Sequence, residues 1–485
     1  MSDVRIQFGD FQTPLPLARA VCELLTRHGV AADSILEPTC GTGSFLLAAA
    51  ERFPSAHLNG RDINPDYVAQ ARAALAQANP RTPVLVQQQD FFTHDWTSEL
   101  AALPGAVLVL GNLPWVTNAA VSVRNGWNLP AKENFPGYRG LEARTGKSNF
   151  DISEWMLMRL LQGLRTRGGT LALLCKTSVA RKALRFAWLN DGRITRATLY
   201  RIDAKAHFKA AVEACLLVVR CGSEGPHEAE VYDALDAESA TNTLGLAGKE
   251  LVSDVVAYRQ LRHLEGTSAY QWRSGIKHDC ASVMELRRVA PERFQNKLGE
   301  EILLETEQVF PLLKCSDLAH ARTEPSRWVL VTQRRVGDDT TVLAKTAPRT
   351  WEYLQSHRAL FDARKSSIYR GAAPFSLFGI GEYSFAPWKV AVSGLHRPPG
   401  FVVIGPYQGR PVVLDDTCYF LPFDGENAAR KAAQTLNSPL CQRFLAALTF
   451  PEAKRPITVE LLQRVNMNAV TAEIGLPALQ QAQLL

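Results

Sequence analysis

The segment GNLPW, residues 111–115, places an amide, a proline and a large aromatic ring directly after an apolar run. An aromatic amine is a poor nucleophile, because its lone pair is delocalised into the ring. The side-chain oxygen of Asn112 and the main-chain carbonyl of Leu113 could accept its two hydrogens, which would free the lone pair to attack an electrophilic methyl group. Pro114 would stiffen the turn, and Trp115 would offer a flat surface to an extruded base.

The same letters fit a structural alternative, in which an Asn-x-Pro turn closes the strand and Trp115 fills the core. Upstream residues bear on the choice, because methyl transfer also requires a site for a methyl donor. A glycine-rich turn followed by acidic residues at successive strand ends would form such a site, and the sequence contains one.

The glycine turn lies in the segment ILEPTCGTGSFL. Gly41 and Gly43 let the backbone turn sharply and let a ligand lie against it. Asp62, at the end of the next strand, can accept both hydroxyls of a ribose, and Asp90, after the third strand, can take the amino group of an adenine with Phe91 against the ring. The spacing differs from the dinucleotide fingerprint and no P-loop motif occurs, so the pattern predicts an adenosine pocket without a pyrophosphate site.

The elements that must position these residues alternate between strand and helix patterns up to about residue 221. This alternation predicts an α/β fold with a parallel, doubly wound sheet. Gly, Ser and Pro cluster at residues 222–229, which places a boundary between domains 1–224 and 225–485. Beyond the boundary, short aromatic-rich strands without an α/β rhythm predict a second α+β domain that is mostly β.

Composition narrows the function further. No run approaches 18 apolar residues and the start lacks a signal-peptide pattern, so we expect a cytoplasmic protein. Nine cysteines without a C-x-x-C pair argue against disulfides and against a zinc site, and no metal is expected. Residues 311–400 hold 13 Lys and Arg against 7 Asp and Glu, a surplus of +6 that suits a polyanion or, alternatively, a merely solvated basic face.

The order of the motifs FQTP, LEPTCGTGSF, GRDI, QDFF and GNLPW resembles that of amino-methylating DNA methyltransferases of the gamma order. In this family the cofactor motif precedes the catalytic one and a target-recognition domain follows. The resemblance covers residues 8–221 and implies a Rossmann-like class I methyltransferase sheet. It also implies S-adenosylmethionine as donor, adenine N6 in DNA as acceptor, base flipping and a place in a restriction-modification or related defence system.

The resemblance also implies roles for individual residues. Gln12, Thr13 and Pro14 match the segment that closes over the methionine end of the cofactor. The complete cofactor site implied in this way comprises Gln12, Thr13, Pro14, Glu37, Pro38, Gly41, Gly43, Asp62, Ile63, Asp90 and Phe91.

The catalytic motif departs from the family in one position. Asn112 to Trp115 stand where the family has Asn-Pro-Pro-Tyr or Asn-Pro-Pro-Phe, so Leu113 replaces a proline. The main-chain carbonyl survives this change, but some stiffness is lost. Phe208 resembles a later motif whose aromatic ring packs on the extruded base, and an ordinary core phenylalanine is the alternative.

Two regions are expected to contact double-stranded DNA. One is the long unpatterned loop between Val116 and Asn149, whose cations are Arg124, Lys132, Arg139, Arg144 and Lys147. The other is the second domain, where the candidate contacts are Lys277, His278, Arg334, Arg335, Arg364, Lys365, Ser366 and Tyr369. For His278 a structural role is the competing interpretation.

Alternatives remain within and outside this class. The same two oxygen acceptors could hold the exocyclic amino group of cytosine, which would then be methylated at N4. A protein-glutamine methyltransferase shares the catalytic loop, but this function would leave the second domain unexplained. A catalytically inactive DNA-binding or regulatory module is a further possibility, motivated by Leu113. We expect a monomer, no membrane partner, and any cognate endonuclease on a separate chain.

Overall fold

A computed structural model describes residues 12–116, 151–268, 270–450 and 452–479. The chain forms two compact units, Met1–Val255 and Val256–Leu485. No helix in the described ranges is both long enough and apolar enough to cross a bilayer. The cations of the loop between Val116 and Asn149, which are predicted to contact DNA, lie outside the described residues.

The first unit contains one ten-stranded sheet with the order β3-β2-β1-β4-β5-β7-β6-β8-β9-β10. Its strands are β1 (Ser34–Glu37), β2 (His57–Asp62), β3 (Val84–Gln88), β4 (Val107–Asn112), β5 (Gly169–Lys176), β6 (Ile194–Ile202), β7 (Ala214–Cys221), β8 (Glu228–Tyr232), β9 (Asn242–Ala247) and β10 (Glu250–Val252). The first five strands are parallel, and β7 runs antiparallel between β5 and β6. This is the predicted class I methyltransferase sheet, which is confirmed.

The helices of this unit connect successive strands. They are α1 (Leu15–Arg27), α2 (Ser44–Arg52), α3 (Pro65–Ala78), α4 (Trp96–Ala102), α5 (Ile152–Arg167), α6 (Thr177–Leu189) and α7 (Ala204–Phe208). Strand β1 is buried along its whole length and β4 along its first five residues, because helices cover both faces of a parallel sheet. The core therefore holds the strand ends rigidly, and the polar residues that follow them are fixed in space.

The boundary between the units lies about thirty residues after the predicted one. Strand β8 pairs in parallel with β6, and β9 and β10 continue the same sheet, so residues 228–252 belong to the first unit. The Gly, Ser and Pro cluster at 222–229 is a connection between two strands of one sheet. Composition alone does not distinguish such a connection from a linker between domains.

The second unit contains two sheets, with the orders β11-β20-β17-β18 and β14-β13-β12-β16-β15-β19. The strands are β11 (Arg273–Ser274), β12 (Glu285–Ala290), β13 (Arg293–Gln295), β14 (Glu301–Leu303), β15 (Val309–Leu313), β16 (Arg327–Leu330), β17 (Trp388–Ser393), β18 (Val402–Ile404), β19 (Val413–Leu414) and β20 (Cys418–Phe423). Among the described strands of this second unit, β15 pairs in parallel with β19 and all other pairings are antiparallel, as expected for a mostly β domain.

Short helices complete the second unit. They are α8 (Val255–Leu261), α9 (Ala281–Met284), α10 (Cys315–Ala319), α11 (Leu343–Thr346), α12 (Pro348–Ser356), α13 (Arg358–Asp362), α14 (Glu426–Leu436), α15 (Pro439–Leu448), α16 (Val459–Gln463) and α17 (Met467–Glu473). Aromatic side chains such as Phe294, Phe375 and Phe420 fill the cores of the sheets. The α+β, mostly β prediction for this region is confirmed.

A fragment ending at residue 255 is expected to fold, whereas one ending at residue 224 is not. The shorter fragment removes β8 to β10, which exposes the edge of β6 and discards the buried side chains of Ala229, Val231 and Leu244. Circular dichroism on heating should give a cooperative transition for fragment 1–255 only. Cooperative unfolding of fragment 1–224 at the same temperature would contradict the boundary.

Candidate active site

One pocket lies where the carboxyl ends of β4, β1 and β2 meet, next to the point at which the strand order reverses. Eleven of the residues predicted for the site line it. They are Gln12, Thr13, Glu37, Pro38, Gly41, Asp62, Ile63, Phe91, Asn112, Leu113 and Pro114. Motifs that lie about a hundred residues apart in the sequence therefore share one cavity.

The glycine turn is held from two sides. The Asp62 carboxylate accepts the backbone N–H of Gly41 at 2.8 Å and that of Asn64 at 2.9 Å. On the other side, Gln12 Oε1 accepts the N–H and the hydroxyl of Thr42, each at 3.1 Å. These bonds fix a turn in which Gly41 has a φ of 50° and Gly43 has a φ of 91°, the left-handed region that suits glycine.

The absence of a side chain at Gly41 also makes room for Gln12. A Cβ at Gly41 would lie 2.6 Å from Gln12 Oε1, which is closer than real contacts allow. An alanine at this position would therefore require the Gln12 side chain to move away from the turn.

Glu37 ends β1 and lies buried beside Gly111 of β4. Burial, and next the charge of Asp62, raise the pKa of the Glu37 carboxyl well above its usual value, while the backbone N–H of Leu46 opposes the shift. Its Oε2 accepts no hydrogen bond from any residue that the structure describes. A buried carboxyl of this kind in a ligand pocket favours a cationic ligand, which would stabilise its charged form.

The turn after β4, residues 112–116, is tied to the glycine turn and to the neighbouring strand. The Thr39 hydroxyl donates to the main-chain carbonyl of Asn112 at 3.1 Å, and the N–H of Leu113 donates to the carbonyl of Leu174 on β5 at 3.3 Å. The carbonyl of Val116 accepts the N–H of Ile152 at 3.0 Å, at the start of α5. Asn112 is therefore positioned by contacts on both sides of its strand.

Aromatic rings form a wall of the pocket. The Phe91 ring packs 4.5 Å from the ring of Trp96, whose indole N–H donates to the Phe91 carbonyl at 2.8 Å. The Phe92 ring lies 5.4 Å from that of Trp155 on α5. Phe91 and Phe92 both line the pocket, so the wall offers apolar faces to a planar ligand.

A partly buried polar network packs next to this aromatic wall. Glu99 contacts Arg61 and His94, each at 2.5 Å, and the His94 ring packs edge-on against Trp96 at 4.7 Å. Arg61 also donates to the carbonyl of Gly60. These contacts connect β2 to the turn that carries Phe91, which fixes the distance between the two cofactor-facing strand ends.

The first turn of α5 completes the pocket. Ile152 and Met156 line it, one helical turn apart. Asp151 caps the helix by accepting the N–H of Ser153, and it pairs with Lys176 at the end of β5 at 2.5 Å. This ion pair holds Asp151, the first described residue after position 150, against the end of β5.

Comparisons with known proteins decide the family. A family model described as a methyltransferase domain matches residues 35–120. The chain is 41% identical to the type II methyltransferase M.NspV of Nostoc sp. (strain ATCC 29411 / PCC 7524), and the match covers 97% of this chain and 98% of that protein. The chain belongs to the type II methyltransferases. It is therefore an S-adenosylmethionine-dependent DNA methyltransferase, as the sequence motifs predict.

Further relatives are more distant. M.XamI, a type II methyltransferase of Xanthomonas campestris pv. amaranthicola, is 30% identical over 135 residues, which is 28% of this chain and 24% of that protein. The solved structure of the type IIL restriction-modification enzyme MmeI in complex with DNA matches with a TM-score of 0.56 at 11% identity. This match covers 93% of the methyltransferase and 64% of the MmeI chain, and it shows a shared fold.

The pocket of the methyltransferase fits the cofactor on two structural grounds. The backbone of the glycine turn borders the pocket at Gly41, and Glu37 presents a buried oxygen that would pair with a positive charge. As the family resemblance implies, Gln12, Thr13 and the glycine turn would hold the methionine end of the cofactor, and Asp62 would face the ribose. When bound, S-adenosylmethionine supplies an electrophilic methyl group.

Five predicted site residues are not among those that line the pocket. Pro14 and Gly43 precede α1 and α2 and position their first turns. Asp90 uses one carboxylate oxygen to accept the N–H of Phe92 at 2.9 Å, which shapes the aromatic wall from within. The remaining two, Trp115 and Phe208, pack edge-to-face with ring centroids 4.9 Å apart.

Trp115 lies in the core of the first unit and is only 5% exposed. The Trp115 ring therefore lies in the core in the described structure, whereas the preceding Asn112, Leu113 and Pro114 line the pocket. The reason is that Trp115 continues past the strand end into an apolar layer that includes Tyr200 and Phe208. Residue type alone does not reveal this direction.

Sequence reasoning missed half of the pocket. The additional lining residues are Thr39, Cys40, Ser44, Phe45, Asn64, Tyr67, Gln89, Phe92, Val116, Ile152 and Met156. Several of these residues, such as Thr39, Cys40 and Phe92, are direct neighbours in sequence of residues that were predicted for the site. Tyr67, Ile152 and Met156 lie on helices, where spacing predicts a buried face but not which ligand it faces.

In the second unit, the side chains of two predicted DNA contacts make hydrogen bonds within the fold. His278 is buried, its Nδ1 accepts the N–H of Cys280 at 3.2 Å, and burial lowers its pKa to about 4, so it is neutral at pH 7. Arg364 donates to the main-chain carbonyls of Phe361, His278 and Ser376, and its guanidinium lies 3.6 Å above the ring of Tyr369. These donors join segments of the fold.

The other candidates are more accessible. Lys277 is half-buried, with carboxylate oxygens of Asp279 and Asp416 at 3.5 and 4.0 Å. Lys365 is exposed and Ser366 is half-buried, beside Tyr369. Arg334 and Arg335 are exposed on a loop after β16.

Replacing Gly41 by Ala should weaken S-adenosylmethionine binding by more than about tenfold, because the new Cβ strains a left-handed residue and displaces Gln12 from the turn. Gly29→Ala is the matched control, since Gly29 has a φ of 69° and nothing lies within 4 Å of the added Cβ. Both variants should lose about 1 kcal/mol of stability, but only the first should lose cofactor affinity in calorimetry. Equal affinity in the two variants would refute the cradle.

Cofactor affinity should rise with pH. The raised pKa keeps the Glu37 carboxyl protonated in the free protein at pH values where a normal carboxyl is ionised, and a bound cation favours the carboxylate, so binding releases a proton. Calorimetry in buffers of different ionisation enthalpy should detect this proton. In Glu37→Gln the release should disappear; unchanged proton release in that variant would contradict the assignment.

Proposed function

We propose that the methyltransferase is a site-specific DNA adenine-N6 methyltransferase that flips its target base and acts in a restriction-modification or related defence system. The observation that carries the proposal is that Asn112 and Gly41 line one pocket, where the Thr39 hydroxyl donates to the main-chain carbonyl of Asn112. The name of the relative M.NspV supports the type II assignment, and the DNA complex of MmeI supports DNA as the partner.

In this proposal the chain's own residues activate the amine. Asn112 Oδ1 and the Leu113 carbonyl accept the two amino hydrogens, which rotates the nitrogen lone pair out of conjugation with the base. The same two oxygens then stabilise the positive charge that develops on the nitrogen. A side-chain general base is unnecessary, because a methylated ammonium on an aromatic ring is acidic enough to lose its proton to water.

Leu113 is compatible with this mechanism although the family has proline there. Its N–H donates to the carbonyl of Leu174, a bond that proline could not make, and its side chain is 1% exposed. Hydrogen bonding and packing thus supply the stiffness that a proline ring would give. This removes the main argument for a catalytically inactive module.

Trp115 and Phe208 remain proposed contacts of the flipped base. Trp115 adjoins the pocket-lining Pro114, and the Phe208 ring packs on its edge. Stacking on a base requires one ring to leave this pair when DNA binds. Loss of that edge-to-face contact, worth about 1 kcal/mol, would be offset by stacking of about 1–3 kcal/mol.

Replacing Asn112 by Ala should lower kcat at least about a hundredfold, because one of the two acceptors for the amino group is lost. Binding of S-adenosylmethionine should stay within about twofold, since the glycine turn and Glu37 are untouched. The rate is measured by mass spectrometry of nucleosides from digested duplex DNA, which also identifies the methylated base.

Asn190→Ala is the control, since the Asn190 side chain caps α6 by donating to the Phe186 carbonyl. Full activity of the Asn112→Ala enzyme would refute the catalytic role. Detection of N4-methylcytosine instead of N6-methyladenine would mean that the mechanism holds but that the substrate is cytosine, because the same two oxygen acceptors fit either amino group.

A further inference from the structure

One loop in the second unit carries two neighbouring arginines on an exposed tip. Residues 333–338, with the sequence QRRVGD, follow β16 and are called the arginine loop below. The Arg335 side chain is 70% exposed and Val336 is 52% exposed. The loop lies within residues 311–400, which contain the basic surplus of the sequence.

The backbone of the arginine loop is fixed by its own side chains. Gln333 is buried, accepts the N–H of Leu377 at 2.9 Å and donates to the carbonyl of Arg335 at 2.7 Å. The Asp338 carboxylate accepts the N–H groups of Arg334 and Arg335 at 3.0 and 2.7 Å. A loop tied in this way presents its tip in one conformation, which lowers the entropy cost of binding.

The two arginines differ in their surroundings. The Arg334 guanidinium lies 3.9 Å above the ring of Phe385, so it is held flat against the unit. Arg335 contacts Glu382 at 3.2 Å, but both side chains are exposed, and such ion pairs break at little cost. Arg335 can therefore turn to a ligand while Arg334 keeps its position.

The exposed valine distinguishes this loop from a simple phosphate-binding patch. Phosphate contacts need cations and N–H groups and gain nothing from an apolar tip. Guanine edges in the major groove bind an arginine through two hydrogen bonds, and the thymine methyl group accepts an apolar neighbour. Arg335 beside Val336 combines the two features that base edges require.

We infer that the arginine loop reads base edges of double-stranded DNA in the major groove, with Arg335 on a guanine and Val336 against a neighbouring base. The inference rests on the proposed function, since it assigns the recognition step of the same reaction. It also separates Arg335 from His278 and Arg364, whose polar groups are engaged inside the fold. Arg335 becomes a specificity-determining residue, and Arg334 a residue that positions the loop.

The test selects bound duplexes from a randomised library and sequences them, for the full-length protein and for variants. Arg335→Ala should lose discrimination at one guanine by about 10- to 100-fold and keep its thermal stability. Arg335→Lys should lose discrimination too, because it keeps the charge but not the paired hydrogen bonds. Arg293→Ala is the matched control, since Arg293 is similarly exposed and pairs with Glu301 at 3.7 Å in the same unit.

Each outcome has a distinct meaning. Uniformly weaker binding of all sequences by Arg335→Ala, with a shallower salt dependence and an unchanged preference, would mean a phosphate contact and would overturn the inference. An unchanged preference and affinity would overturn it as well, and would leave the loop as a surface for an acidic protein. Sequence-selective binding by wild-type protein without methylation of the selected duplex would refute the proposed function alone.

Discussion

The carboxylate of Asp62 holds the arrangement on which the active site depends. It accepts the N–H groups of Gly41 and Asn64, and so it fixes the turn after β1 against the end of β2. On the opposite side of β1, Thr39 donates to the carbonyl of Asn112 at the end of β4. Three neighbouring strand ends are thereby joined through side-chain hydrogen bonds, and Gly41 of the glycine turn and Asn112 line one pocket.

The charges of this pocket suit its chemistry. Glu37 is the most deeply buried acid in it and favours a cationic ligand, whereas Asn112 contributes a neutral acceptor at the place where positive charge would grow during transfer. A carboxylate in place of the Asn112 amide would bind a proton or a cation more strongly, and the enzyme would turn over less readily. An amide offers an oxygen dipole of fixed direction without such competition.

The sequence predicts the parts of the site that follow from sheet geometry. Glu37, Asp62 and Asn112 end parallel strands, and parallel strands bring their carboxyl ends to one edge, so their convergence could be foreseen. The glycine turn was predictable because its φ values lie in the left-handed region that favours glycine. The direction of Trp115 and Phe208 was not, because either a core or a pocket accepts an aromatic ring after a strand.

Burial of polar residues in the second unit was equally hidden from the sequence. His278 and Arg364 have the residue types of DNA contacts, yet the buried His278 ring accepts the N–H of Cys280, and the half-buried Arg364 donates to the main-chain carbonyls of His278 and Ser376. The domain boundary was misplaced for a related reason, since strand β8 extends the first sheet through a pairing with β6 that no local pattern reveals.

The most direct measurement of the central claim is a crystal structure with S-adenosylhomocysteine and a short duplex containing the recognition sequence. We expect the sulfur atom of S-adenosylhomocysteine to lie beside Asn112. We also expect an extruded adenine whose amino group donates to Asn112 Oδ1 and to the Leu113 carbonyl. An amino group directed away from both oxygens, or a cofactor bound outside the glycine turn, would contradict it.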